Sequence, residues 1–138
     1  MRTIVKLTAL VMLLVVTGCS GALPVSVINM VSATQPAPHG DAVRGETIFK
    51  HGINDAPACV GCHALVKGGF SLGPVMKGIS ERAGTRVEGM SAEAYIRQSI
   101  LEPKAFIVSG FRPIMYPDYA KHLSEQDILD LIAYLSTL

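Results

Sequence analysis

Residues 59 to 63 read Cys-Val-Gly-Cys-His and use two of the three cysteines in the chain. Thiols three positions apart lie on one helical turn, and a histidine follows directly. This is the spacing of covalent haem attachment, in which Cys59 and Cys62 each add to one of the two vinyl groups of a porphyrin and His63 binds the iron from one face. A macrocycle held this way serves as much of the core of whatever folds around it. Two other uses of a Cys-x-x-Cys pair require features that are missing. A structural zinc site needs a second Cys or His pair at similar spacing, and none follows. A dithiol oxidoreductase needs a βαβ neighbourhood around low-pKa thiols, and the chain has no such pattern.

The third cysteine belongs to the start of the chain. Arg2 and Lys6 mark a basic segment, Leu7 to Val16 an apolar one, and Val16-Thr17-Gly18-Cys19 sets small residues before a cysteine. The segment resembles a bacterial lipoprotein signal. The resemblance implies cleavage before Cys19, a diacylglycerol thioether on its sulfur and acylation of the new amino terminus. Two or three acyl chains, at about 0.8 kcal/mol per buried CH₂, anchor stably where one holds marginally. The alternative is an uncleaved signal anchor, because Gly21 to Val31 stays fairly apolar and extends the span toward about 20 residues, although Gly18, Ser20, Pro24 and Asn29 interrupt it. Either way the chain is expected to be exported and membrane-tethered, facing the periplasm or extracytoplasmic side, where haem is linked to apo-thiols.

Residues 1–18 therefore read as signal, 19–40 as a lipid-anchored linker bearing Pro36 and Pro38, and 41–138 as one folding unit without internal repeats. Loss of residues 1–18 removes Arg2 and Lys6 but no acid, leaving ten basic residues against eleven acidic ones and taking the formal charge from +1 to −1. No nucleic-acid partner is expected for such a surface. A unit of about 98 residues buries only part of its surface, which leaves room for a macrocycle in its interior.

Within this unit the pattern is all-α with long irregular connections. Asp41 can cap a helix to about Lys50 that carries Val43, Ile48 and Phe49, with Gly45 leaving a notch where another helix can cross closely. After the Cys59 to His63 turn, Gly68, Gly69, Gly73 and Pro74 break the chain into loop. Ser91 can cap a helix of about ten residues that turns Tyr95, Ile96 and Ile100 inward and ends before Pro103. Ser124 and Asp127 form a capping box with Asp in place of Glu, Leu123 and Ile128 occupy the staple positions, and Ile128, Leu131, Ile132 and Leu135 recur at i, i+3, i+4, i+7. Tyr134 lies beside that stripe, placed to meet Phe49 at the Gly45 notch.

From Asp41 to its end the chain resembles class I monohaem cytochromes c. The resemblance rests on Gly45 with Phe49 facing Leu131 and Tyr134, on Cys59 to His63, and on Gly73-Pro74. It implies about four short helices wrapped around one covalent haem c, with the Pro74 carbonyl accepting a hydrogen bond from the second nitrogen of His63, a contact that orients a ligand ring and raises its basicity. The stretch Tyr95 to Pro103 with Gly110 and Met115 is similar to the cytochrome domain of haem-copper oxidase subunit II, although no copper-binding domain is present, and the chain also resembles the monohaem subunit of alternative complex III.

The sixth ligand comes from Met76, Met90, Met115, His51 or His122. Met115 is the choice, because it lies in the aperiodic loop Gly110 to Pro117, which can lay a thioether over the far face of the iron; the family's methionine usually sits directly before proline, and here Tyr116 intervenes. Met76, after Pro74, is expected in a short helix on the histidine side, and Met90 as a staple before Ser91. Phe70, Leu72, Ile79, Ile96, Ile100, Ile107 and Ile114 are the expected walls. Lys50, Lys67, Lys77, Arg97, Lys104 and Lys121 are scattered and read as solvated surface. Arg112, in the ligand loop, either pairs with a haem propionate or faces solvent.

With His63 and Met115 on the iron no position remains for a substrate, so the expected role is one-electron transfer rather than enzymatic catalysis. Electrons would pass between a quinol-oxidising complex or another cytochrome and an oxidase, copper protein or photosynthetic reaction centre. The alternative is a haem enzyme or gas sensor, peroxidase-like, with an open distal site.

Overall fold

Asp41 opens the fold by accepting hydrogen bonds from the amides of Val43 at 2.9 Å and Arg44 at 3.2 Å. This caps α1, Ala42–His51. The computed structural model describes residues 39–138. The expected signal, Cys19 and the linker to residue 38 lie outside the described residues. After α1 come a 3₁₀ turn, Cys59–Gly61, then α2 (Ile79–Ala83), α3 (Ala92–Leu101), α4 (Tyr119–His122) and α5 (Glu125–Leu135). The only extended pairing among the described residues is an isolated bridge between Ile53 and Ala56, so the fold is all-α, with long loops between short helices.

The helix starts follow local chemistry. Ser91 caps α3 through a hydrogen bond from the Ala94 amide at 3.2 Å, and Tyr95, Ile96 and Ile100 are buried on its inner side. At α5 the Ser124 hydroxyl accepts from the Asp127 amide while the Asp127 carboxylate accepts from the Ser124 amide at 2.8 Å, a complete capping box. Ile128, Leu131, Ile132 and Leu135 are all buried, as their period requires.

α1 and α5 cross at Gly45. A Cβ on Gly45 would overlap the Asp130 carbonyl and approach the Tyr134 Cβ to 2.9 Å, so glycine is what lets the two backbones meet. The rings of Phe49 and Tyr134 pack beside the crossing, 5.5 Å between centroids. Polar bonds reinforce it in a way the apolar pattern does not foretell. Arg44 of α1 forks onto Asp127 and Asp130 of α5, and the Asp41 amide donates to Asp130 at 2.7 Å. Burial opposes ionisation of both carboxyls, but hydrogen bonds outweigh it: Ser124 and Arg44 hold Asp127, and Asp41, Gln126 and Arg44 hold Asp130, below the usual carboxylate range.

Two elements differ from expectation. Met76 is not in a helix; α2 begins at Ile79, after Gly78 turns the chain at φ +73°. The single turn α4, which buries Tyr119, is too short for a periodic signal and brings the α-helical segments among the described residues to five, where about four are expected. No helix among the described residues is long and apolar enough to cross a membrane.

Candidate haem-binding site

The site is built on one turn of chain. The amides of Cys62 and His63 donate to the Cys59 carbonyl at 3.1 and 2.9 Å, which puts both thiols and the imidazole on the same turn. The following loop then folds back on it. Leu72 and Gly73 amides donate to the Cys62 carbonyl, Met76 to Ala64 and Lys77 to Leu65, each at 2.9 Å. Pro74 is thereby brought to His63, whose Nδ1 lies 2.8 Å from the Pro74 carbonyl oxygen. A carbonyl only accepts, so Nδ1 carries the proton and Nε2 keeps the lone pair. Gly73 supports the ring from beside it: a Cβ there would come within 2.5 to 3.0 Å of three imidazole atoms.

Cys59, Cys62 and His63 line a cavity whose empty space, open mouth included, is about 1050 Å³. Of the expected walls, Leu72, Ile79, Ile96, Ile100, Ile107 and Ile114 line it. Phe70 does not; it is 78% exposed on the glycine-rich loop. Phe49, Tyr95, Leu131 and Leu135 form the deep wall, so the same side chains that lock the helices together face the cavity.

Met115 lines this cavity from the loop between α3 and α4. Met76 also lines it, but its amide is bonded to Ala64, next to His63, so it arrives from the histidine side. Met90 packs on the core outside the cavity. His51 is exposed at the end of α1. His122 has both ring nitrogens engaged, by the Tyr116 hydroxyl at 3.0 Å and the Asn54 carbonyl at 2.7 Å.

Arg112 and Arg86 both reach the cavity. Arg86 Nε is buried and has no hydrogen-bond partner, alone in this among the buried side-chain nitrogens and oxygens of the described residues. Nothing in the sequence points to it, because a single arginine between two helices has no spacing to betray it. Burial pushes the Cys59 thiol up to about 11, against the pull of a hydrogen bond with Tyr119. A thiol held protonated at neutral pH is poorly suited to disulfide exchange.

Residues 42–138 match the family described as Cytochrome c. The chain belongs to the cytochrome c family. It is similar to a cytochrome c of Gossypium barbadense, 32% identical over 114 residues that span 73% of this chain and 93% of that one. Membership makes it a class I haem protein of electron transfer, with haem c bound covalently through the Cys59 to His63 region. The residues of this cytochrome fit that group: two thiols and an imidazole with a free lone pair on an apolar cavity wall, and an orphaned guanidinium nitrogen suited to an anionic substituent.

Proposed function

We propose that this cytochrome is a membrane-anchored carrier, or a subunit of a quinol-oxidising or oxidase complex, that moves single electrons through one haem c held by Cys59, Cys62, His63 and Met115. The observation that carries the reading is the His63 to Pro74 hydrogen bond at 2.8 Å on the wall of a cavity that Met115 enters from a separate loop. Haem supplies one-electron exchange at its iron. His63 donates Nε2, and the Pro74 carbonyl fixes the ring and raises its basicity. Met115 adds a soft thioether, which favours the reduced state over a second nitrogen ligand, and the apolar walls act in the same direction. With His63 and Met115 both given to the haem, no position would be left for a substrate, so the protein would transfer electrons and do no chemistry on bound molecules. Cys62 is exposed, and electrons enter and leave at the edge it would hold.

In this reading Cys19 carries the lipid, the folded unit faces the periplasm or its equivalent, and respiratory or photosynthetic redox proteins are the partners. An oxidase, a copper protein or a reaction centre would accept its electrons. The purified protein is expected to carry the added mass of one haem, to keep its colour in acidified acetone, and to show in the ferric state the weak red-end band of sulfur-ligated iron. Met115→Ala abolishes that band. A high-spin spectrum with rapid carbon monoxide binding in the parent protein would overturn the assignment in favour of an open distal site.

A further inference from the structure

Tyr116, which separates Met115 from Pro117, is tied down at two points. Its hydroxyl lies 3.0 Å from His122 Nε2, and His122 Nδ1 lies 2.7 Å from the Asn54 carbonyl oxygen. Because that carbonyl can only accept, Nδ1 holds the proton, and Nε2 of the neutral ring accepts from the Tyr116 hydroxyl. The Asn54 side-chain amide donates back to the His122 carbonyl at 3.2 Å, closing the pair. Asn54 and Asp55 sit at positive φ in the tight turn between Ile53 and Ala56, so the acceptor comes from a constrained backbone. The second point is aromatic. Tyr116 meets Tyr119 edge-on at 5.0 Å between centroids, and the Tyr119 hydroxyl donates to the Pro57 carbonyl at 3.1 Å.

Both ties therefore end on residues 54–57, the segment that leads into Cys59. Elsewhere the loop is held by Phe106, which meets Tyr95 of α3 edge-on at 5.8 Å between centroids, and not by a side-chain hydrogen bond. Its backbone bonds, Ala105 to Glu102, Phe111 to Val108 and Ile114 to Arg112, are all local. Among the described residues, the Tyr116 hydroxyl makes the side-chain hydrogen bond that joins residues 103–117 to the body of the fold.

We propose that Tyr116 and His122, seated on Asn54, form a clasp that positions Met115 and sets how readily it leaves the iron. The inference rests on Met115 being the sixth ligand, and adds the residues that keep it there. They touch neither iron nor porphyrin; they are positioning residues. Opening the clasp frees the loop, and an outside ligand can then take the place of the thioether.

The test is titration of the ferric holoprotein with imidazole, followed by loss of the red-end sulfur band. One net hydrogen bond corresponds to a change of about three- to tenfold in the opening equilibrium. Tyr116→Phe, which keeps the ring and its packing on Tyr119, and His122→Ala are each expected to tighten imidazole binding by that factor. The double variant should be no tighter than His122→Ala alone, because that change already removes the bond to Tyr116. His122→Gln, whose amide oxygen can accept from Tyr116, should recover part of the difference. In a Met115→Ala background His122→Ala should change imidazole affinity not at all. The clasp is refuted if Tyr116→Phe binds imidazole as the parent does, or if the His122→Ala effect survives without Met115, which would mean general loosening. A parent protein with no sulfur band would sink the ligand assignment itself, and the clasp with it.

Discussion

Pro74 acts through its carbonyl alone, yet that oxygen decides which nitrogen of His63 is available, and the absent side chain of Gly73 decides where the ring can lie. These contacts are legible in the order of residues, because covalent attachment fixes the sequence of thiols and imidazole and a Gly-Pro pair punctuates the loop that returns to them. Arg86 is not legible there. Its meaning comes from burial without a partner, which only the packed chain reveals. Sequence points instead to Arg112, which reaches the same cavity. Arg86→Met removes a cation from the lining of the cavity that would hold the haem, so the oxidised state would gain stability and the midpoint potential would fall. A drop of tens of millivolts is expected, given about 59 mV per tenfold change for one electron, and redox titration beside Arg112→Met checks that the larger drop belongs to Arg86. The clasp residues Tyr116 and His122 are hidden for a related reason: a lone histidine or tyrosine has no period, and their pairing depends on a turn 68 positions away in sequence.

The helices show what a pattern can and cannot reveal. α5 is plain from its i, i+3, i+4, i+7 stripe and its capping box, α1 and α3 from Asp41 and Ser91, whereas α4 offers four residues and no repeat. The Gly45 notch and the Phe49–Tyr134 contact follow from the apolar faces. The Arg44 fork onto Asp127 and Asp130 does not, because it depends on how the two helices are rotated once they touch. Gly45→Ala forces its Cβ into the Asp130 carbonyl, and overpacking of this kind costs about 1–3 kcal/mol. Urea unfolding of the holoprotein should show at least that loss. Asp127 and Asp130 have lowered pKa values in the folded state, so the stability they contribute is present above the ordinary value of about 3.9 and is lost as pH falls through the lowered ones. Unfolding midpoints measured from pH 6 downward should therefore hold until about pH 4 and then drop. Asp130→Asn should flatten the drop.

The interior is divided between helix packing and a cavity, and Phe49, Leu131 and Leu135 belong to both. That division can be foreseen from size and motif, since a unit this small leaves its centre to the macrocycle; Phe70 departs from its expected place because hydrophobicity alone cannot tell a wall from a rim. The proposed membrane attachment would belong to the leader, and it is tested there. Cys19→Ala should move the protein from the detergent phase to the soluble fraction while leaving the visible spectrum unchanged, and a chain that stays with membranes would point to an uncleaved anchor. The α1–α5 crossing has one more consequence. Asp41 and Asp130 are 89 positions apart, and a ribosome delivers the amino end first, so the wall formed by Leu131 and Leu135 cannot close until α5 has been made. Cys59 and Cys62 thus emerge ahead of α5, on a chain still open to a ligase, and that helix is the one that shuts the door behind the pigment.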